Sequence, residues 1–137
     1  MNAHFLDLSR VGLMVMAMFG WCSARSAGYV VTDLGAGTAW GINAAGKVAA
    51  TVQGQAVLFD GKSNVLLPVI YPQTGPWFTP TDAVAVNDAD QVLANGDWFT
   101  LGPAVAVYTG GGGQVVRGGY GLSCFGTGIN QAGTACG

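Results

Sequence analysis

Residues 41–50 read GINAAGKVAA, and the same pattern returns as AVNDADQVLA at residues 85–94 and as GINQAGTACG at residues 128–137. Each copy has a small residue, a β-branched residue and an asparagine, then two variable positions, Gly or Asp, any residue, and an apolar residue. The asparagines of successive copies are 44 and 43 residues apart. A step of roughly 40–50 residues is typical of propeller blades and of stacked β units. A repeat is therefore the organising unit of the chain.

The asparagine and the glycine of each copy predict a hairpin turn. Asparagine suits the first turn position because its side chain accepts a hydrogen bond from a backbone N–H two residues later, and glycine adopts positive φ without a Cβ clash. Asp90 replaces the glycine in the middle copy, and aspartate is one of the few other residues that tolerate the left-handed region. The predicted turn residues are Asn43, Gly46, Asn87, Asp90, Asn130 and Gly133.

The composition favours a sheet protein with many tight turns. Half of the 137 residues are hydrophobic, 23 are glycine, 9% are charged, and glutamate is absent. Helices need runs of Ala, Leu, Glu, Lys or Arg, whereas glycine interrupts nearly every window after Gly28. The formal net charge is −2 and there is no basic stripe, so nucleic acid is not an expected partner.

The first 24 residues are interpreted as a signal peptide that is removed on export. A polar segment ends at Arg10, an apolar and small-residue run covers residues 11–21, and residues 22–24 supply the small side chains of a cleavage site. A membrane-spanning helix needs roughly 20 apolar residues, more than this run contains. A permanent anchor or a buried helix is the alternative interpretation.

Residues 25–137 are predicted to form one all-β domain of tandem antiparallel hairpin repeats, arranged as a partial propeller-like array after the signal helix. The repeats cover about 29–70, 71–118 and 119–137, and the last contains only its first hairpin. Runs of β-branched and aromatic residues bounded by turn residues predict the strands. They are placed at 29–35, 38–42, 47–52, 56–59 and 64–67, then at 83–87, 91–94, 104–108 and 114–117, and finally at 125–130 and 134–137.

Residues 71–80 are predicted to be a loop, because three prolines and a glycine interrupt any regular strand ladder. Aromatic rings have large apolar faces, so those of this loop either cover an open end of the sheet stack or form a stacking platform for a sugar or a peptide. A carbohydrate-binding site of this kind would use Trp77, Trp98 and Tyr120.

The order of these blocks resembles the HAF-type bacterial extracellular repeat family. Its members carry Tyr-x-Val-Thr-Asp-Leu-Gly, then Ala-x-Gly-Ile-Asn-x-x-Gly-x-Val-x-Gly, then Ala-Phe-Leu-Trp and a glycine turn, and residues 29–35, 39–50 and 56–61 match those blocks in order. Phe59 stands where tryptophan is usual. The resemblance covers roughly residues 29–137. It implies an exported, β-rich, propeller-like protein, and it supplies no catalytic residues.

Few residues offer catalytic chemistry. The only histidine is His4, in the leader, so the exported part lacks the imidazole of a Ser-His-Asp or Cys-His nucleophile and of a histidine-ligated zinc site. The remaining candidates are the aspartates of the second repeat, Asp82, Asp88, Asp90 and Asp97. A glycoside hydrolase needs two acids a few ångströms apart, but aspartate is also a preferred turn residue. We expect no catalytic residue, cofactor or metal.

The segment Asn87-Asp88-Ala89-Asp90 alternates side-chain oxygens as the first half of a calcium-binding loop does. A complete loop of the EF-hand type also needs a glycine at its sixth position and a glutamate at its twelfth, and this chain has no glutamate. The pattern therefore favours a solvated turn over a weak calcium site.

Cys124 and Cys136 flank the last predicted hairpin. An exported protein meets an oxidising compartment, which favours pairing of the two thiols. A disulfide here would fasten the C-terminal segment by roughly 2–3 kcal/mol through loop closure. Two free thiols are the alternative, and the separation of the two Cα atoms decides between them.

These patterns favour an exported bacterial β-repeat protein, periplasmic or extracellular, that acts as a binding or surface-structural module and not as an enzyme. A carbohydrate-binding module and a secreted glycosidase-like enzyme are the alternatives. Repeat units bury their apolar faces on their neighbours, and about three are needed for a stable stack. The two and a half units here predict either a longer gene product or strand addition with another copy or another β-repeat chain. A glycan is a further candidate partner, and a stable membrane span of the mature chain is not expected.

Overall fold

The computed structural model describes residues 33–73, 75–118 and 123–137. The predicted signal helix at residues 1–24 and the candidate Tyr120 lie outside the described residues. Every regular element in the described part of the chain is a strand, and the strand pairs within each sheet are antiparallel. The all-β prediction is therefore confirmed.

The first sheet has four strands in chain order. They are β1 (Gly37–Ile42), β2 (Val48–Val52), β3 (Gln55–Phe59) and β4 (Asn64–Leu66). These bounds agree with the predicted strands to within one residue. Gln53 and Gly54 both have positive φ, the geometry that matches the twist of two strands joined by a two-residue hairpin. Of the predicted opening strand, residues 33–35 are described, and they are not part of a strand.

The second sheet also has four strands in chain order. They are β5 (Phe78–Val86), β6 (Val92–Trp98), β7 (Gly102–Thr109) and β8 (Gly112–Gly118). β5 begins well before the predicted residue 83, and β6 continues past the predicted residue 94. The second hairpin is therefore longer than the sequence pattern predicts.

The prediction that residues 71–80 form a loop is wrong at its C-terminal end, because β5 already includes Phe78 and Pro80. β5 is an edge strand of its sheet, so the missing N–H of Pro80 costs no hydrogen bond of a central ladder. The pairing with β6 also shifts register between Pro80 and Asp82. Phe78 exchanges two backbone hydrogen bonds with Ile70, at 2.9 and 3.0 Å, and its side chain is fully buried.

The third unit is a two-stranded hairpin of β9 (Gly128–Ile129) and β10 (Ala135–Cys136). These strands are shorter than the predicted arms at 125–130 and 134–137. β9 packs on β5 and β6. The second sheet therefore contacts the first sheet and the terminal hairpin.

The main core lies between the first and second sheets, where β5 packs on β1, β2 and β3. Most of its buried members are alanines, whose small side chains allow the two sheets to approach closely. They are Ala49, Ala56, Phe78, Ala83, Val92, Ala94, Ala104, Ala106 and Tyr108. The Tyr108 hydroxyl donates to the Pro68 carbonyl at 2.8 Å, and burial raises the pKa of Tyr108. This polar contact ties the segment after β4 to the second sheet.

Candidate functional site

Three turns, which begin at Asn43, Asn87 and Asn130, share one hydrogen-bond pattern. In each turn the asparagine Oδ1 accepts the backbone N–H groups two and four residues later, at 2.9–3.1 Å. The asparagine N–H also donates to the carbonyl four residues later, and its carbonyl accepts the N–H three residues later. The three asparagines therefore occupy the same local geometry.

The position three residues after each asparagine requires a left-handed backbone. The φ angles of Gly46, Asp90 and Gly133 are 78°, 59° and 81°. Glycine enters this region without steric cost, whereas an L-residue with a Cβ pays roughly 1–2 kcal/mol. Asp90 carries this strain and, unlike the two glycines, supplies a carboxylate at the turn.

The asparagine side chains also connect one turn to the next. Asn43 Nδ2 donates to the Asn87 carbonyl at 3.1 Å, and Asn87 Nδ2 donates to the Asn130 carbonyl at 2.9 Å. Asn43 and Asn87 are 7% and 2% exposed, whereas Asn130 is exposed. A buried amide is stabilising only when its hydrogen bonds are made. We refer to Asn43, Asn87 and Asn130 with these bonds as the asparagine ladder.

Asp88 forms a second set of contacts between turns. Its carboxylate accepts the Ala44 N–H at 2.7 Å from the first turn and the Gln131 side-chain amide at 2.9 Å from the third. Its own N–H donates to Gln131 Oε1 at 3.0 Å. Asp88 is therefore held between the turn before it and the turn after it.

Asp90 forms a third set of contacts between turns. Its carboxylate accepts Lys47 Nζ at 2.6 Å and Asn43 Nδ2 at 3.1 Å, so the residue that replaces the glycine bonds to the preceding turn. The hydrogen bond from Lys47 lowers the pKa of Asp90. The sequence indicates Asp90 as a turn residue, a candidate acid and an oxygen of a calcium-type loop, but not as a partner of Lys47, because the stacking that brings Lys47 to it is a tertiary feature.

A matching contact lies further along the strands at each interface. Thr51 Oγ1 donates to Asp82 Oδ1 at 2.8 Å between the first and second sheets. Asn95 exchanges two hydrogen bonds with the backbone of Gly126, at 2.7 and 3.1 Å, between the second sheet and the third unit. Both pairs are separated by 31 residues. Thr51 and Asn95 are 44 residues apart, as are Asp82 and Gly126, so the two contacts lie at equivalent positions of successive units.

The candidate aspartates of a glycosidase have different surroundings. Asp82, Asp88 and Asp90 accept hydrogen bonds that connect neighbouring units. Asp97 is exposed and lies opposite Thr79 in the β5–β6 ladder. Among the residues that the structure describes, no group of three or more His, Cys, Asp or Glu side chains is placed to hold a metal ion.

Of the aromatic candidates, Trp77 and Trp98 lie in the described part of the chain, and their surroundings differ. Trp77 stacks on Phe99 with ring centroids 3.9 Å apart and an interplanar angle of 12°. These side chains are 40% and 49% exposed. Trp98 packs against the core instead, and its indole N–H donates to the Pro76 carbonyl at 2.8 Å. We refer to Trp77 and Phe99 as the aromatic pair.

Phe99 is a residue that sequence analysis missed, although strand alternation could have indicated it. Phe78 and Trp98 are register partners, and both pack in the core. Side chains alternate between the two faces of a sheet, so the residues flanking this pair project to the other side. The backbone hydrogen bond from the Phe99 N–H to the Trp77 carbonyl, at 2.8 Å, sets the two rings opposite each other.

Cys124 and Cys136 are both free in the structure, and the disulfide stays a prediction. The Cys136 sulfur lies over the neighbouring strand, 3.6 Å from the Gly128 carbonyl oxygen. Both cysteines line a groove of about 620 Å³ between the second sheet and the terminal hairpin. Val105 and Val116 form the opposite wall of this groove.

Replacing Asp90 by alanine is expected to lower the free energy of unfolding by about 2 kcal/mol. The substitution forces an alanine into the left-handed region and removes the bonds to Lys47 and Asn43. Asp90→Gly is the control, because it removes the same bonds and relieves the strain, so its loss should be about 1 kcal/mol or less. Urea unfolding at pH 7 measures both. Equal losses would show that the positive φ is not a source of the effect.

The contribution of the Asp90 charge is expected to depend on pH. Its folded pKa is lowered, so the stabilisation is present above the unfolded pKa of about 3.9 and is lost as the pH falls through the folded value. Asp90→Asn keeps a side chain that tolerates the backbone conformation. The stability difference between the wild type and this variant should therefore shrink below about pH 4. A difference that is constant from pH 7 to pH 2.5 would contradict the Lys47 pairing.

No helix in residues 33–73, 75–118 or 123–137 is long and apolar enough to cross a bilayer. Comparisons with models of protein families, with curated proteins and with solved structures found no match to the chain.

Proposed function

We propose that this chain is an exported β-repeat protein, a partial propeller-like array that acts as a binding or surface-structural module and not as an enzyme. The observation that supports the proposal is the asparagine ladder. The same bonds join the first turn to the second and the second to the third. Stacked units of this kind form a rigid scaffold, whose function is commonly to present surfaces and loops to a partner.

The hydrogen bonds of the aspartates favour a binding or structural module over a hydrolase. Asp82 and Asp88 are engaged by groups of neighbouring units. A general acid or nucleophile has to reach the substrate, whereas these carboxylates are hydrogen-bonded to groups of neighbouring repeats. Their role in the proposal is to hold the units together.

Membership of the HAF-type extracellular repeat family is part of the proposal. The block Gly-Ile-Asn-x-x-Gly of that family coincides with the residues that form the first turn, Gly41 to Gly46. The resemblance thus lies in residues with a clear structural role. The leader and the family that the chain resembles support export.

Production of the full chain in a bacterium tests the proposal. We expect the protein outside the cytoplasm, in the periplasm, at the cell surface or in the medium, with the intact mass of residues 25–137. A protein that keeps its leader and stays in the cytoplasm would refute export. A protein released into the medium that binds neither cell-wall material nor glycans would refute the module role.

The aromatic pair favours carbohydrate binding as a second candidate function. Trp77 and Phe99 leave their outer ring surfaces at the protein surface. Apolar faces of sugars stack on such rings, and stacking contributes about 0.5–1.5 kcal/mol beyond the buried area. Thr79 and Asp97 lie on the other side of the Phe78–Trp98 pair and on the same face of the sheet as the aromatic pair, so polar groups are available near the rings.

Trp77→Ala and Phe99→Ala are each expected to weaken glycan binding by about tenfold, since 1.4 kcal/mol corresponds to that factor. Array screening would identify a glycan, and titration would measure its affinity for each variant. Tyr71→Ala is the matched control, because Tyr71 is an exposed aromatic outside the stack. Absence of any glycan ligand, or equal affinities in all three variants, would dispose of this candidate.

A further inference from the structure

The connection between β6 and β7 contains an insertion that the first unit lacks. In the first sheet, two residues connect Val52 to its register partner Gln55. Gly96 lies 44 residues after Val52, the spacing of the first two asparagines, and it pairs with Ala104. Residues 97–103 therefore stand where the first unit has two residues. In repeat proteins, insertions into single units concentrate in loops of one face, which is often the binding face.

We refer to residues 97–103, together with residues 77–79 on the opposing strand, as the hairpin extension. Its register partners on β5 and β6 are Phe78 with Trp98 and Thr79 with Asp97. Asn95, whose side chain bonds to the third unit, precedes the extension along β6. The extension is therefore built by the middle unit, beyond that contact with the following unit.

Side chains of the hairpin extension alternate between the core and the surface. Phe78 and Trp98 pack in the core. The four residues that flank this pair are exposed, and they are Trp77, Thr79, Asp97 and Phe99. Alternate residues of a strand share a face and lie about 6.5 Å apart, so Thr79 and Asp97 are one such step from the aromatic pair. One face of the extension thus carries stacked rings beside a hydroxyl and a carboxylate.

Asp97 differs from the other aspartates in the described part of the chain. Those five accept hydrogen bonds that hold turns or connect units, and they are Asp33, Asp60, Asp82, Asp88 and Asp90. The Asp97 carboxylate receives no hydrogen bond from a residue that the structure describes, and it is exposed. Its acceptor oxygens are therefore available to a ligand.

The turn that presents Phe99 is strained. Thr100 has a φ of 67°, in the left-handed region that a β-branched residue rarely adopts. The Leu101 N–H donates to the Trp98 carbonyl at 2.8 Å and closes this turn. Strained backbone of this kind concentrates at ligand-binding positions, where it fixes side chains in advance. The strain at Thr100 lies next to one ring of the aromatic pair.

We propose that the hairpin extension binds an uncharged β-linked glucan, which stacks on the aromatic pair and donates hydroxyl hydrogen bonds to Asp97. A pyranose ring whose hydroxyls are equatorial presents a flat face of axial C–H groups, which an aromatic face can cover. Hydrogen bonds from its hydroxyls to a carboxylate are charge-assisted and therefore strong. This inference rests on the second candidate function, carbohydrate binding, and names its ligand.

The charge of the extension selects against acidic glycans. Asp97 is the only charged residue in residues 77–79 and 97–103. A sugar carboxylate would therefore meet a like charge with no cation in the extension to compensate it. Thr79 contributes a neutral hydroxyl, which can both donate to and accept from a sugar hydroxyl.

Isothermal titration calorimetry of the full chain with two oligosaccharides tests the proposal. One is cellohexaose, and the other is its C6-oxidised counterpart, a β-1,4-linked hexamer of glucuronic acid that differs from it only in charge. We expect cellohexaose to bind about tenfold more tightly than the acidic hexamer, the factor that corresponds to 1.4 kcal/mol of charge repulsion. Equal affinities for the two hexamers, or no binding of cellohexaose, would overturn the inference.

Asp97→Asn should reduce this discrimination from both sides. Cellohexaose should bind about tenfold more weakly, because a charge-assisted hydrogen bond is lost, whereas the acidic hexamer should bind more tightly, because the repulsion is removed. Asp60→Asn is the matched control, since Asp60 is exposed in the β3–β4 turn and asparagine keeps the oxygen that accepts the turn N–H groups. An unchanged affinity of Asp97→Asn for cellohexaose would contradict the role of the carboxylate.

Thr79→Val should weaken cellohexaose binding by about threefold, as expected for one neutral hydrogen bond. Thr109→Val is its control, because Thr109 is an exposed threonine at the opposite end of the same sheet. Circular dichroism and urea unfolding check that each variant folds. Binding of a different glycan that Trp77→Ala abolishes would overturn this ligand and leave carbohydrate binding intact. Binding of no glycan at all would overturn both.

Discussion

Replacing Asn87 by alanine is expected to lower the free energy of unfolding by about 3 kcal/mol, because buried polar groups left without partners cost roughly 1–3 kcal/mol each. The side chain is almost fully buried. Its oxygen accepts the N–H groups of Ala89 and Gln91, and its amide donates to the Asn130 carbonyl and to Gln91 Oε1. The substitution removes all four of these bonds, and of the groups named only the Asn130 carbonyl keeps another backbone partner, the N–H of Gly133. Urea unfolding at pH 7 measures the change.

Asn130→Ala is the matched control for Asn87→Ala. Asn130 makes the same two bonds within its own turn, but it is exposed, so water replaces the lost partners and the expected loss is about 1 kcal/mol. Asn43→Ala should resemble Asn87→Ala, since Asn43 is also buried and also bonds to the following turn. Equal losses at all three positions would mean that the bonds between turns contribute nothing beyond the turns themselves.

The turns could be predicted from the sequence because their bonds are local. Asparagine, two free positions, Gly or Asp and the residue after it contain all the groups that close the turn, and the structure has a turn with these bonds at each of the three positions. The bonds between turns join residues more than 40 positions apart. A spacing pattern indicates that units repeat, but not which atoms of successive units meet. The roles of Asp88 and Asp90 as connecting residues were therefore not predictable.

The misplaced start of β5 has a similar cause. A proline such as Pro80 disfavours a strand only where the strand ladder needs its N–H. The ladder needs that N–H only when the strand has a neighbour on both sides. The sheet order makes β5 an edge strand, which the local pattern does not reveal. The aromatic pair depends on register in the same way, because Trp77 meets Phe99 only after Phe78 has paired with Trp98. Predictions from the local sequence therefore fail where strand pairing decides the structure.

Phe78→Ala is expected to lower the free energy of unfolding by about 4 kcal/mol, the usual range for a phenylalanine truncated in a core being 3–5 kcal/mol. Phe78 is the largest fully buried side chain in the described part of the chain. It belongs to a core cluster whose other buried members are mostly alanines, and an alanine side chain cannot extend into the cavity that the truncation leaves. Urea unfolding with a fixed m-value isolates the change in stability.

Phe99→Ala provides the comparison, because Phe99 lies one residue beyond the Trp98 that pairs with Phe78 and is about half exposed. Its loss should stay below about 1.5 kcal/mol, the upper range for one aromatic contact. A small effect of Phe78→Ala would mean that β5 contributes little to the core, and the packing of the two sheets on each other would then be in doubt. A large loss of stability would indicate that the start of β5 unfolds together with the first asparagine turn, because the two sheets share this core.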